Sequence, residues 1–205
     1  MQINIDKKTG ILGTIIVFLV GVIIAMGVST SNDHGFFGMG HSTMMDSHRA
    51  NGQGDLTGAD IMFLQMMIPH HQQAVDISNL ALTKSKDSEL LALATAIRDG
   101  QADEIVQMKK WLSDAGASLD MGHSMPGAMG GMLDEQELAD LKSATRANFD
   151  RLWLEGMTGH HDGALHMVQM IEDADTQIIK KFGQDIVSLQ TAQINQMKEM
   201  LKRIG

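Results

Sequence analysis

Apolar residues recur at three- and four-residue spacing from Leu56 to Leu119, with a break around Thr83 to Asp87. They recur again from Asp134 to Ile204, with a break near Asp173 to Thr176. That period marks helices that each bury one stripe, and no run of strand-like alternation interrupts it. The body of the chain therefore reads as all-α, with helical hairpins at about 57–119 and 134–204. Thr57-x-x-Asp60 opens the first helix as a capping box. Asp134-x-x-Glu137 opens a shorter helical stretch ending near residues 144–148. A hairpin cannot bury its apolar faces alone, so the two are expected to pack as an up-down four-helix bundle.

The hairpins read as copies of one another. Setting His70-His71 over His160-His161 also places Asp60 on Asp150, Phe63 on Trp153, Leu64 on Leu154, Met67 on Met157 and Ala74 on Ala164. After a one-residue deletion, Glu104-Ile105, Gln107-Met108-Lys109 and Leu112 fall on Gln193-Ile194, Gln196-Met197-Lys198 and Leu201.

Outside the hairpins the pattern changes. Residues 11–28 are uncharged and apolar, and as a helix would span roughly 27 Å, about the hydrocarbon thickness of a bilayer. Lys7 and Lys8 precede this run and no Lys or Arg follows until Arg49, which puts the start of the chain in the cytoplasm and the body outside. Residues 1–30 are read as a transmembrane anchor or, if cut near Ala25 and Gly27, a signal segment. The expected location is the periplasmic or extracytoplasmic face. Residues 31–56, rich in Gly, Ser, Asn and Asp, read as a flexible tether, 120–133 as a linker, and 57–205 as the bundle.

The net charge of −9 argues against nucleic acid or anionic lipid as a partner of the body. Cys 0 removes disulfides, thiolate zinc sites and a cysteine nucleophile. Any soft ligand must then be thioether sulfur, and the chain has Met 18.

In each copy a methionine precedes the histidine pair by three and four residues, the spacings at which side chains meet on a helix. Met67 with His70 and His71, and Met157 with His160 and His161, are thus candidate metal ligands. Folding each hairpin back brings Gln101 and Glu104 to the level of the first pair and Gln193 to that of the second, with Met108 and Met197 one turn on. Glu104, Met108, Gln193 and Met197 are candidates to support the ligands; equally, such residues pair with a histidine merely to satisfy it. The alternative for the motif itself is structural: histidines at the core edge with methionine as packing. Pro69 and Gly159 sit at equivalent positions before the pairs and are expected to disturb the helix there, as a bend that fits the bundle or a loosening that lets the histidines turn.

Methionine and histidine also gather outside the helices. The tether carries Met39, His41, Met44, Met45 and His48; the linker carries Met121, His123, Met125, Met129 and Met132. In exposed Gly-rich chain a thioether gains nothing from burial, so these too are candidate ligands. Thioether is a soft, neutral donor suited to Cu(I) and, by extension, Ag(I).

Through MFLQMMIPHHQQAVDIS (62–78), MGHSMPGAMGGM (121–132) and FDRLWLEGMTGHHDGALHM (149–167) the chain resembles the CopM-like bacterial family known as domain of unknown function 305. The resemblance implies a ferritin-like four-helix bundle in the cell envelope, copper binding, and the two Met-x-x-His-His motifs as ligand sets. Most members have an acid just after the histidine pair; here Gln72 and Gln73 follow the first pair and Asp162 the second.

The expected function is copper(I) sequestration, tolerance or delivery without catalysis, in contact with metal ions, the membrane and copper-handling envelope proteins. A ferritin-like dinuclear metal enzyme is the rival, though no Glu-x-x-His occurs here. An anchored structural bundle with incidental histidines is the third reading.

Overall fold

The computed structural model describes residues 55–122 and 129–204. The expected anchor, the tether ligands Met39, His41, Met44, Met45 and His48, and the linker residues His123 and Met125 lie outside them. The described chain is all-helical: α1 (Gly58–Lys84), α2 (Ser88–Asp114), α3 (Glu135–Ser143), α4 (Arg146–Val168) with a 3-10 turn at Gln169–Ile171, and α5 (Gln177–Ile204). No helix among the described residues is long and apolar enough to cross a membrane.

Local chemistry sets the helix starts. Thr57 and Asp60 form the reciprocal cap, the threonine hydroxyl accepting from the Asp60 N–H at 3.2 Å and the carboxylate accepting from the Thr57 N–H at 2.8 Å. Asp134 and Glu137 repeat it at α3. Asp87 caps α2 by accepting from Glu89 and Leu90 N–H, both at 2.9 Å, so the chain reverses within residues 85–87. Buried Asp60 also accepts from the Thr176 hydroxyl at 2.7 Å, tying the start of α1 to the turn before α5.

The hairpins α1–α2 and α4–α5 meet along α1 and α4, which run antiparallel. The Trp153 indole N–H donates 3.0 Å to the carbonyl of Ile77, and the Lys84 ammonium reaches the carbonyl of Ala144. Trp111 on α2 stands edge-on to Phe182 on α5 with centroids 5.1 Å apart, and at the far end Arg203 pairs with Glu89 at 2.6 Å. The four long helices therefore enclose one interior.

That interior is apolar at both ends and polar in the middle. One apolar cluster takes Ala74 and Ile77 from α1, Leu93 and Ile97 from α2, Trp153 and Met157 from α4, and Ile194 and Met197 from α5. The other takes Phe63 and Met67, Ile105 and Met108, Ala164 and Met167, and Phe182 and Ile186 from the same four helices. Between them each helix contributes buried polar residues: His70 and His71, Gln101, His160 and His161, Gln190 and Gln193.

Candidate metal site in the bundle core

The four histidines of this layer are fully buried. His70 and His160, brought together by the crossing of α1 and α4, stack with ring centroids 3.8 Å apart and planes tilted by 39°. His71 and His161 stand 6.4 and 6.2 Å from their neighbours in sequence.

Each imidazole is anchored through Nε2. His70 donates to the carbonyl of Gly130 at 3.1 Å, His160 to the carbonyl of His70 at 2.9 Å, His71 to the Glu104 carboxylate at 2.7 Å, and His161 to the Gln193 amide oxygen at 2.7 Å. Carbonyl and carboxylate oxygens only accept, so the ring proton sits on Nε2 in every case. Each Nδ1 has no hydrogen-bond partner among the described residues, although it is buried. Nitrogen with a free lone pair on a ring fixed through its other N–H is the arrangement of a metal-ligating histidine.

Electrostatics keep that lone pair free. Burial, followed by the neighbouring His71, pushes the His70 pKa from 6.5 down to about 3. Burial pushes His161 down to about 4, opposed in part by its bond to Gln193. Burial and then His70 hold His160 well below the usual histidine range. These rings are neutral donors at physiological pH. Both ends of the Gln101 amide and the oxygen of Gln190 likewise lack partners in the layer. Such buried atoms each cost about 1 to 3 kcal/mol when unsatisfied; the four Nδ1 atoms and the Gln101 and Gln190 amide oxygens carry lone pairs that a cation accepts, whereas the Gln101 amide nitrogen has only N–H to offer. Among the described residues no group of three or more His, Asp or Glu side chains is placed to hold a metal ion.

A profile of the family described as domain of unknown function, DUF305, matches residues 60–201. The chain belongs to the DUF305 family. It is similar to the DUF305 protein of Streptomyces coelicolor, with a TM-score of 0.68 and 28% identity, covering 72% of this chain and 92% of that one. It is similar to a DUF305 fragment from Deinococcus radiodurans, with a TM-score of 0.68 and 30% identity, covering 73% and 99%. It is also similar to CopM in the Cu(I)-bound form, with a TM-score of 0.59 and 31% identity, covering 70% and 96%. CopM has been solved with Cu(II) and with Ag bound as well. No curated protein sequence matches the chain.

In this DUF305 chain the sequence-selected residues separate into three environments. His70, His71, His160 and His161 share the polar layer, where Glu104 and Gln193 meet them. Met67, Met108, Met157 and Met197 are fully buried in the apolar clusters that flank the layer. Met121, Met129 and Met132 are half-buried, and the first two pack against an apolar cluster, contrary to the expectation that linker thioethers stand in open solvent. Hairpin ends bring apolar surface within reach of the linker, and that gives these methionines a packing role as well.

Helix α1 runs on through Pro69 and α4 through Gly159. A Cβ on Gly131 of the linker would strike the Gly159 carbonyl, whereas one on Gly159 would meet open space, so the close approach explains the glycine at 131 and not the one at 159. The amide of Gln73, which follows the first histidine pair, brackets the peptide of Leu133.

Gln190 and the Gly130 carbonyl were not picked out from the sequence. Gln190 had a signal, since the deletion that aligns Glu104 with Gln193 also aligns Gln101 with Gln190. The carbonyl had none, because backbone atoms carry no residue code.

Proposed function

We propose that this chain binds copper(I), and with it silver(I), on the extracytoplasmic side of the membrane, and sequesters it or passes it to other copper-handling proteins of the envelope. On this reading it is a carrier and no enzyme. Its body is a ferritin-like bundle of two duplicated hairpins, and the apolar segment at 11–28 holds it to the membrane. The observation that carries the reading is the set of four buried imidazoles, each pinned through Nε2 with Nδ1 left without a partner among the described residues. Three of them are neutral through burial. Monovalent d10 ions accept two or three neutral donors, whereas structural zinc takes four ligands. Paired imidazoles, with Met67 and Met157 one turn away, suit the former. Likeness to CopM with Cu(I) and Ag bound supports the same class of cargo.

The test is an anaerobic Cu(I) competition titration of the purified full chain, beside a variant with His70 and His160 both replaced by alanine. Binding at micromolar concentration or tighter is expected, with part of the capacity lost in the variant. A chain that leaves both Cu(I) and Ag(I) with a weak competitor ends the proposal.

A further inference from the structure

Residues 129–133 lie across α4 as a backbone strap. A Cβ on Gly163 would collide with the Gly130 carbonyl, one on Gly131 would collide with that of Gly159, and the Leu133 side chain comes within 3.0 Å of where a Gly156 Cβ would stand. Gly156 and Gly163, seven residues apart, share one helix face, and the missing side chains leave room there for the Leu133 side chain and the Gly130 backbone respectively. Gly131 has φ +79, a conformation glycine enters without penalty.

From the other side α1 grips the strap twice. Gln73 donates to the Leu133 carbonyl at 2.9 Å and accepts from the Leu133 N–H at 2.8 Å. His70 donates to the Gly130 carbonyl at 3.1 Å, and its ring is stacked on His160. The strap thus bridges α1 and α4 against the ring at the centre of the polar layer.

We infer that this strap gates the histidine layer and that Gln73 is its latch: cargo reaches His70 and His160 when the strap lifts, and the same lift frees His70 Nε2. The inference rests on the metal-binding reading above. His70 and His160 are fully buried, so an ion needs an opening, and the strap is the cheapest element to move. Among the described residues it is held by a few side-chain hydrogen bonds and by Leu133 and Met129, one residue against each apolar cluster, whereas moving a helix would displace several buried residues from both. Met129 and Met132 ride on it beside the glycine pair, so soft donors travel with the gate.

The test uses the full chain with Gln73→Ala, which removes the latch, and Gly163→Ala, which pushes the strap off α4 without touching the latch. Three quantities are measured: amide exchange at residues 130–133, the rate at which diethyl pyrocarbonate modifies His70 and His160, and the rate of Ag(I) uptake. Losing two hydrogen bonds should raise all three by about tenfold or more, given the usual worth of such bonds. Modification of exposed His166 should stay as in the parent. Faster exchange in the strap with unchanged modification of His70 and His160 overturns the inference. Accelerated modification with no Ag(I) bound by any form leaves the strap as the cover of the layer and overturns the metal reading instead. Gln73 is only partly buried and belongs to neither apolar cluster, so Gln73→Ala carries the test alone should Gly163→Ala fail to fold.

Discussion

The imidazole of His160 donates 2.9 Å to the backbone carbonyl of His70 while its ring lies 3.8 Å from the His70 ring. One histidine is thus oriented by the main chain of its counterpart. The reverse does not hold, since His70 is oriented by Gly130 of the linker. The two Met-x-x-His-His motifs are therefore held unequally: the second is fixed by the bundle itself, the first by a segment that crosses it.

Acid should destabilise the metal-free protein through this layer. His70 and His161 have pKa values lowered from 6.5 to about 3 and about 4. The unfolded chain therefore takes up protons that the folded one refuses. Their contribution to stability is complete above pH 6.5 and declines as pH falls toward 4 and then 3, by up to about 1.4 kcal/mol per pH unit for each ring. Urea unfolding of the metal-free full chain across that range measures it, and a flat profile would show that the rings meet water.

Exchange of residues between the copies separates hydrogen bonding from charge at Glu104. Glu104→Gln gives the first hairpin the residue that the second has at Gln193, keeps an acceptor for His71 Nε2, and should cost less than about 1 kcal/mol. Glu104→Leu strands the buried imidazole and should cost about 1 to 3 kcal/mol. Equal costs would mean that the 2.7 Å contact contributes nothing.

Packing and ligation at Met67 and Met157 can be separated by volume-conserving change. Met67→Leu and Met157→Leu together should leave the metal-free bundle within about 1.5 kcal/mol per site of the parent. Met157→Ala should cost about 2 to 5 kcal/mol, because the side chain is fully buried. If thioether sulfur takes part in ligation, the double leucine variant folds but holds Cu(I) more weakly in competition with a chelator. Unchanged Cu(I) affinity would assign both methionines to packing alone.

Cargo that binds the folded layer must also stabilise it. At a hundredfold excess of free Ag(I) over its dissociation constant the gain should be about 2.7 kcal/mol for one site. It should be seen as a higher unfolding midpoint, and be lost when His70 and His160 are both replaced by alanine. A gain that survives that replacement would move the binding to other residues.

Much of the architecture could be read directly. The capping boxes at Thr57 and Asp134, and the breaks near Lys84 and Asp173, follow from hydrogen bonding among residues three or four apart, which the sequence lists in order. Facing of Glu104 to His71 and of Gln193 to His161 was also legible, because a hairpin with a short turn fixes which levels oppose each other. The linker was not. Its composition pointed to open chain, yet Met129 packs on the core and Gly130 reaches His70, since glycine lets backbone settle where any side chain would be excluded.

The sequence by itself determined the all-helical body and the placing of a histidine pair on each of two helices, because helical period and side-chain spacing are local properties. Only the tertiary structure decided that the two pairs meet between two apolar clusters, that every ring is held by Nε2 and presents Nδ1, and that residues 129–133 lie over His70. Those facts depend on how α1 crosses α4, and a crossing is set by which surfaces fill each other's space, something no single stretch of chain encodes.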